Sequence, residues 1–317
     1  MRTLAFVGRH ATKFMAGGVL VGFFVPPLAA LARPLLVPAL VIPLTLALIR
    51  LDWTAIVASH RRAGLVAMLV AWILGVSPVL VWAITTPALA WGLPPGLREA
   101  LILMAASSPI VSSVAIALFV GLDAALAVVA VVFATALVPF TLPLMALTLL
   151  GLELTLSLPA FMGRLAAIVG VAFVGAWLVR RVVRPAALAA RRDLIDGLAV
   201  VNLVVFAVAI MDGVTAFAME RPGYAALATG LAFFFNVLLQ AAAWLAFRRC
   251  GAVTALTAGL LSGNCNMGLV LVAVSGHAGI EVAAFFALAQ LPMYMLPMVL
   301  DPLYRRLRER PGSAGSR

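Results

Sequence analysis

From Ala63 to Trp91 the chain runs for 29 residues without a charged side chain. Hydrocarbon offers no water to a backbone N–H or C=O, so such a stretch must close its own hydrogen bonds as a helix. About 20 apolar residues at ~1.5 Å each cross a bilayer core. By that measure ten stretches qualify: Phe14–Leu31, Leu35–Ile49, Ala63–Trp91, Leu97–Phe119, Asp123–Leu150, Leu165–Val179, Leu194–Phe217, Tyr224–Phe247, Ala252–Gly276 and Ile280–Leu303. Of all residues 65% are hydrophobic and 10% charged, and mean hydropathy is +1.18. A soluble domain carries about a quarter charged residues. The expected fold is an all-α polytopic membrane protein with ten transmembrane helices.

The net charge of +11 does not point to nucleic acid, because the basic residues sit in short gaps between apolar runs. Of the 22 Lys and Arg, all but Arg33, Arg98, Arg164 and Arg221 fall at the two ends or in the even-numbered gaps. The positive-inside rule then predicts cytoplasmic termini, as an even number of spans requires. Leu51–His60 is expected to lie as a short helix on the cytoplasmic face, and Arg305–Arg317 to be a basic, disordered tail. Arg2, Arg9 and Lys13 ahead of the first run imitate a secretory signal. Gly17-Gly18 and Pro26-Pro27 inside that run argue for a retained span instead. Cys250 and Cys265 form no disulfide framework.

The ninth stretch has the least lipid-compatible centre: Ser262-Gly263-Asn264-Cys265-Asn266-Met267-Gly268. Polar side chains and glycines at mid-depth survive only beside protein or a wet cavity, so an interrupted helix is expected. Sliding the chain by 158 residues lays Ser107-Ser108-Pro109 of the fourth stretch on Cys265-Asn266-Met267. The same offset pairs Gly121-Leu122-Asp123 with Gly279-Ile280-Glu281, and Pro139 with Pro297. Pro109 cannot donate to the carbonyl of Ala105, so the fourth helix should break at the same depth as the ninth. Each half, 1–158 and 159–304, would hold five spans. An odd count makes the halves inverted repeats, with 305–317 as a tail. Discontinuous helices in inverted repeats place a transport site where the breaks meet.

Asn264 and Asn266 are the sharpest candidates there, as site walls or as interhelical glue. Ser107, Ser108, Ser112 and Ser113 surround Pro109, and Thr135 precedes Pro139 by one turn. Such hydroxyls either back-bond to the i−4 carbonyl or line a wet wall. Substrate-facing candidates are Asn264, Asn266, Ser108, Ser112, Cys265 and Gln290. Ion-facing candidates are Ser112, Ser113, Thr135, Ser262 and Asn264. Pro109, Gly263 and Gly268 are the expected helix-breaking positions. Asp123 and Glu281, each opening a span after glycine, are expected to cap helices. Asp212, about five residues inside its span, is either a proton relay or an interfacial cap beside Gly213. Asp193 and Asp196 are expected to be solvated. Asn202, Asn236 and Gln240 are weaker candidates. His10, His60 and His277 form no ligand cluster, and no phosphate-cradling G-x-x-x-x-G-K-[ST] loop occurs. No metal site, enzyme chemistry or ATP-driven pumping is expected.

Pro109 with its serines, Thr135-x-x-x-Pro139 and Gly263-x-x-Asn266-x-Gly268-Leu269 resemble the bile acid:sodium symporter superfamily. The likeness runs in outline from Ala63 to Leu303. It implies a panel domain and a core domain, with broken helices four and nine crossing at the site, and alternating-access movement of organic anions. Leu261 stands where the family pattern has glutamate, Cys265 where it has glutamine, and Ser112-Ser113-Val114 lacks the family's asparagine. A buried cation without a counter-charge is costly in the membrane interior, so the coupling ion stays open between Na+ and H+. The expected function is a secondary transporter for a small organic anion or amphipath, in a bacterial inner membrane. Its partners are that solute and membrane lipids, with no nucleic acid and no obligate protein partner. A passive channel and a non-transporting ligand sensor are the alternatives.

Overall fold

The computed structural model describes residues 11–50, 62–151, 157–274 and 277–308. Their regular elements are all helical. In chain order these are α1 Ala11–Phe24, α2 Pro26–Ala32, α3 Leu36–Ile49, α4 Ala63–Ala71, α5 Ser77–Ala88, α6 Pro95–Ala105, α7 Ser112–Phe119, α8 Ala124–Leu150 and α9 Leu158–Val182. They continue with α10 Pro185–Ala190, α11 Arg192–Ala209, α12 Val214–Glu220, α13 Pro222–Phe247, α14 Ala252–Gly263, α15 Met267–Val274, α16 Ile280–Leu288 and α17 Gln290–Arg308. Seven helical stretches among the described residues are long and apolar enough to cross a bilayer: Pro26–Ile49, Ala63–Trp91, Ala124–Leu150, Leu158–Val182, Arg192–Glu220, Pro222–Cys250 and Ile280–Arg308. The molecule is an all-α integral membrane protein.

Several limits differ from the sequence expectation. The first break falls at Val25, because Pro26 and Pro27 cannot continue α1 but can open α2, where their missing N–H is not needed. From Pro26 the chain then stays helical to Ile49 through a tight turn at Arg33–Leu35. The sixth helix begins at Leu158, seeded by Pro159, and ends at Val182 after Arg180 has donated to the carbonyl of Ile49 at 2.7 Å. The seventh is interrupted between Ala209 and Val214, where Gly213 takes φ +76°. Residues 305–308 are helical rather than disordered. Asp301 holds Arg305 one turn on at 3.0 Å, and Arg308 donates to the carbonyls of Val120 and Gly121 at 3.2 Å. The expected surface helix at Leu51–His60, the basic residues Arg2 and Arg9, and the tail beyond Arg308 lie outside the described residues.

Two seams of close helix packing stand out, and they are joined by direct contacts of α9 with α8 and α15 and of α1 with α17 in one continuous apolar core. Around α11, α1 runs parallel: a Cβ on Gly18 would sit 3.2 Å from Ala207, and one on Gly22 would sit 2.8 Å from the carbonyl of Val208. Helix α3 runs antiparallel to α11, with Leu36 near Val208 and Arg50 paired with Asp196. Helix α9 lies against α3, where Gly175 meets Thr45. The second seam joins α13 and α14. Gly259 and Gly263, one turn apart, lie against Gln240 and Asn236, and a Cβ on either would come within 2.8 Å of a carbonyl oxygen. Small residues of this kind let helices approach where lipid supplies no hydrophobic drive. Around that seam pack α6, α8, α16 and α17.

Candidate functional site

Between Ala105 and Ser112, and again between Gly263 and Met267, the chain leaves the helix. The two interruptions meet. Ile110 N–H donates to the carbonyl of Asn264 at 2.8 Å, and Asn266 N–H donates to that of Ser108 at 2.7 Å. Pro109 and Cys265 thus face each other in an isolated antiparallel bridge. A break in mid-bilayer frees main-chain groups that must be paired; here each break supplies the other's partners.

The ends on either side are also sealed. Asn266 caps α15, its Oδ1 accepting from Leu269 N–H at 3.3 Å. At the end of α14 the carbonyl of Leu260 accepts from Asn264 N–H at 3.2 Å. The carbonyl of Ser262 accepts from Cys265 Sγ at 3.4 Å, and that of Gly263 from Asn236 Nδ2 at 2.7 Å. Asn236 is held in turn: its Oδ1 accepts from Gln240 Nε2 at 2.6 Å, and Gln240 Oε1 accepts from the Tyr304 hydroxyl. A buried relay therefore runs from the last helix to the break.

Buried polar atoms without a partner gather on the same structure. Asn264 is fully buried and neither its Oδ1 nor its Nδ2 is bonded. The hydroxyls of Ser108, Ser113 and Thr135 are likewise buried and unbonded. Asn264 and Ser113 are joined through Ile110, whose N–H donates to the first and whose carbonyl accepts from the N–H of the second at 3.0 Å. Thr135 lies on α8, which packs on both α7 and α14. Leaving such an atom unpaired costs about 1–3 kcal/mol. By contrast, Ser262 Oγ donates to the carbonyl of Ala258 and Ser107 Oγ to that of Met104, each at 2.8 Å. Among the described residues no three His, Cys, Asp or Glu come together.

A cavity of about 470 Å³ opens beside the crossing, walled by α1, α3 and α11 together with α7, α8, α15 and α17. Ser112, Asn266, Gly268 and Gln290 line it, whereas Asn264, Ser108, Ser113, Thr135, Ser262 and Cys265 do not reach its wall. Gly268 is there because a Cβ would come 2.5 Å from the Phe206 ring and 3.2 Å from Leu40. Gln290 donates to the carbonyl of Phe286 at 3.1 Å and leaves its Oε1 unbonded. Asp212 lies elsewhere, paired at 2.9 Å with a largely exposed Arg33. Asp123 caps α8 by accepting from Leu126 N–H at 2.9 Å, and Glu281, in the first turn of α16, pairs with Arg221.

The mouth of the cavity was not legible in the sequence. Arg50 ends α3, Arg192 and Asp196 open α11, and all three line the opening. Asp196 is not simply solvated but pairs with Arg50. Burial, and then the like charge of Arg192, hold the Arg50 guanidinium below the usual arginine range. Tyr294 was also missed; it lines the cavity with an unbonded hydroxyl. Its one available signal was the spacing of four from Gln290, which puts both on one helix face.

No family model matches the chain, and no curated protein matches it.

Proposed function

We propose that the protein is a secondary carrier resembling the bile acid:sodium symporters, moving a small organic anion or amphipath by alternating access. Ten spans in two inverted five-helix halves would carry the movement, with the α1–α3–α9–α11 group as panel and the remainder as core. One observation carries the proposal: two interrupted helices, bonded main chain to main chain, border a cavity walled by α1, α3 and α11 together with α7, α8, α15 and α17. Rocking one group against the other would move that cavity's opening across the membrane. By the positive-inside rule the mouth with Arg50 and Arg192 is cytoplasmic, as are both termini, in a bacterial inner membrane.

The unbonded oxygens of Ser108, Ser113, Thr135 and Asn264 suit a hard monovalent cation in kind, because Na+ takes neutral oxygen donors. No carboxylate accompanies them, and Leu261, at the position of the family's glutamate, is fully buried. The carbonyls at the end of α14 already accept internal hydrogen bonds. The coupling ion is therefore Na+ at a single weak site or H+. The test is uptake of radiolabelled taurocholate into proteoliposomes. Saturable uptake that accelerates when unlabelled solute is loaded inside supports a carrier. Uptake without counterflow indicates a channel, and binding without flux a sensor.

A further inference from the structure

From Arg180 the chain runs through five arginines before it meets an acid, Asp193. Arg180 donates to the carbonyl of Ile49. Arg181, one turn after Trp177, lays its guanidinium over the indole ring, 5.2 Å from the centroid. Arg221 stacks on Phe217 in the same way, and there Glu281 takes the charge at 2.9 Å. Arg181 has no such acid: among the described residues it makes no ion pair and no hydrogen bond. A stacked guanidinium uses its face and keeps its in-plane N–H donors for an anion. Trp177 is 56% exposed, on a face of α9 that also exposes Val171, Val174 and Leu178. Their spacing of three or four makes one stripe along a helix long and apolar enough to cross a bilayer, and the stripe ends at Arg181. Three residues on, an exposed Arg184 opens α10. Leu188 packs back onto the cluster that includes Leu48 and Ala176, which holds α10 against the ends of α3 and α9.

We infer that this corner is a binding site for an anionic phospholipid, whose phosphodiester is received by Arg181 with Arg184 beside it, and whose acyl chain lies past the Trp177 ring along Val174 and Val171. At the boundary of a bilayer, lipid headgroups supply the anions that a basic cluster meets. A zwitterionic head brings its own cation back against the arginines, whereas a phosphatidylglycerol-type head brings none. The apolar stripe favours a lipid over a soluble phosphate ester, which would leave it uncovered. No residue of α9 or α10 lines the cavity, so occupancy of this site does not depend on whether the cavity carries a solute.

The test is quenching of Trp177 fluorescence in the purified full-length protein in maltoside micelles, taken as the difference between each protein and its Trp177→Phe counterpart. The quenchers are dibrominated phosphatidylglycerol and dibrominated phosphatidylcholine with the same acyl chains. Half-quenching is expected at an about fivefold lower mole fraction of the anionic lipid, the contribution of one basic residue at an anionic headgroup. Arg181→Gln with Arg184→Gln should abolish the preference. Arg181→Glu with Arg184→Glu should reverse it, an outcome that unfolding cannot produce. Arg248→Gln with Arg249→Gln removes the same charge from exposed arginines after α13 and should leave the preference intact. Equal quenching by the two lipids would mean an ordinary lipid shell and overturn the inference. So would a preference that survives the glutamine changes at Arg181 and Arg184, or one lost with Arg248 and Arg249, since either puts the effect elsewhere on the basic surface. Displacement of the quencher by soluble glycerophosphoglycerol at equal concentration would overturn the assignment to a lipid.

Discussion

Replacing Gly263 by alanine puts one methyl group where the structure has no room for it. The Cβ would lie 2.5 Å from Gln240 Cγ, 2.8 Å from the Asn236 carbonyl oxygen and 2.9 Å from Asn236 Oδ1. A rotamer change moves the first contact away, but the second is main chain of α13 and yields only if the two helices separate. Overpacking of this kind costs about 1–3 kcal/mol. Separation also stretches the 2.7 Å bond from Asn236 Nδ2 to the Gly263 carbonyl, worth about 1 kcal/mol more. Better helix propensity returns up to about 1 kcal/mol, less at the last residue of α14. The net loss is about 2 kcal/mol, or a melting temperature lower by about 4–8 °C. Thermal unfolding of the detergent-purified protein, followed by size-exclusion fluorescence, measures it. Gly230→Ala, where nothing lies within 4 Å of the added carbon, is the control and should melt as the wild type does. If Gly263→Ala melts with the control, the seam is looser than described and the relay behind the break does not hold it.

Three further outcomes follow from the same geometry. Asn264→Leu removes two buried polar atoms that bond nothing, so the ligand-free protein should melt unchanged or higher by a few degrees, and any Na+-dependent stabilisation should disappear; a fall like that of Gly263→Ala would show the amide to be bonded. Asn236→Leu leaves the Gly263 carbonyl without its side-chain donor at a cost of about 1–3 kcal/mol, and deuterium exchange should rise selectively across 263–269; uniform exchange across the chain would refute a local role. Asp212→Asn breaks only a largely exposed pair with Arg33, a contribution below about 1 kcal/mol; the pH profile of proteoliposome uptake should keep its shape, and loss of a titration step would reinstate Asp212 as a proton relay.

Charge spacing, proline and glycine were local enough to be read directly. The apolar runs dictated helices because hydrocarbon leaves the backbone no other partner. Pro109 and the Gly263–Gly268 stretch marked where helix formation fails, and Asp123 was recognisable as a cap from the glycine before it. The limits of α1 and α9 were read less well, since prolines at positions 26 and 159 begin helices as readily as they end them. Asn236 and Gln240 stood out only as two isolated amides; their joint role appears when α13 lies against α14.

What the sequence decided alone was everything set by a residue and its neighbours within a turn or two: helical class, insertion in a bilayer, and the depth at which two helices weaken. Tertiary structure decided which freed main-chain groups find each other, which hydroxyls are left unbonded, and that Arg50, Arg192 and Asp196, far apart in sequence, share one opening. Those contacts depend on helix rotation and approach distance, which glycine seams fix to tenths of an ångström and hydropathy cannot register.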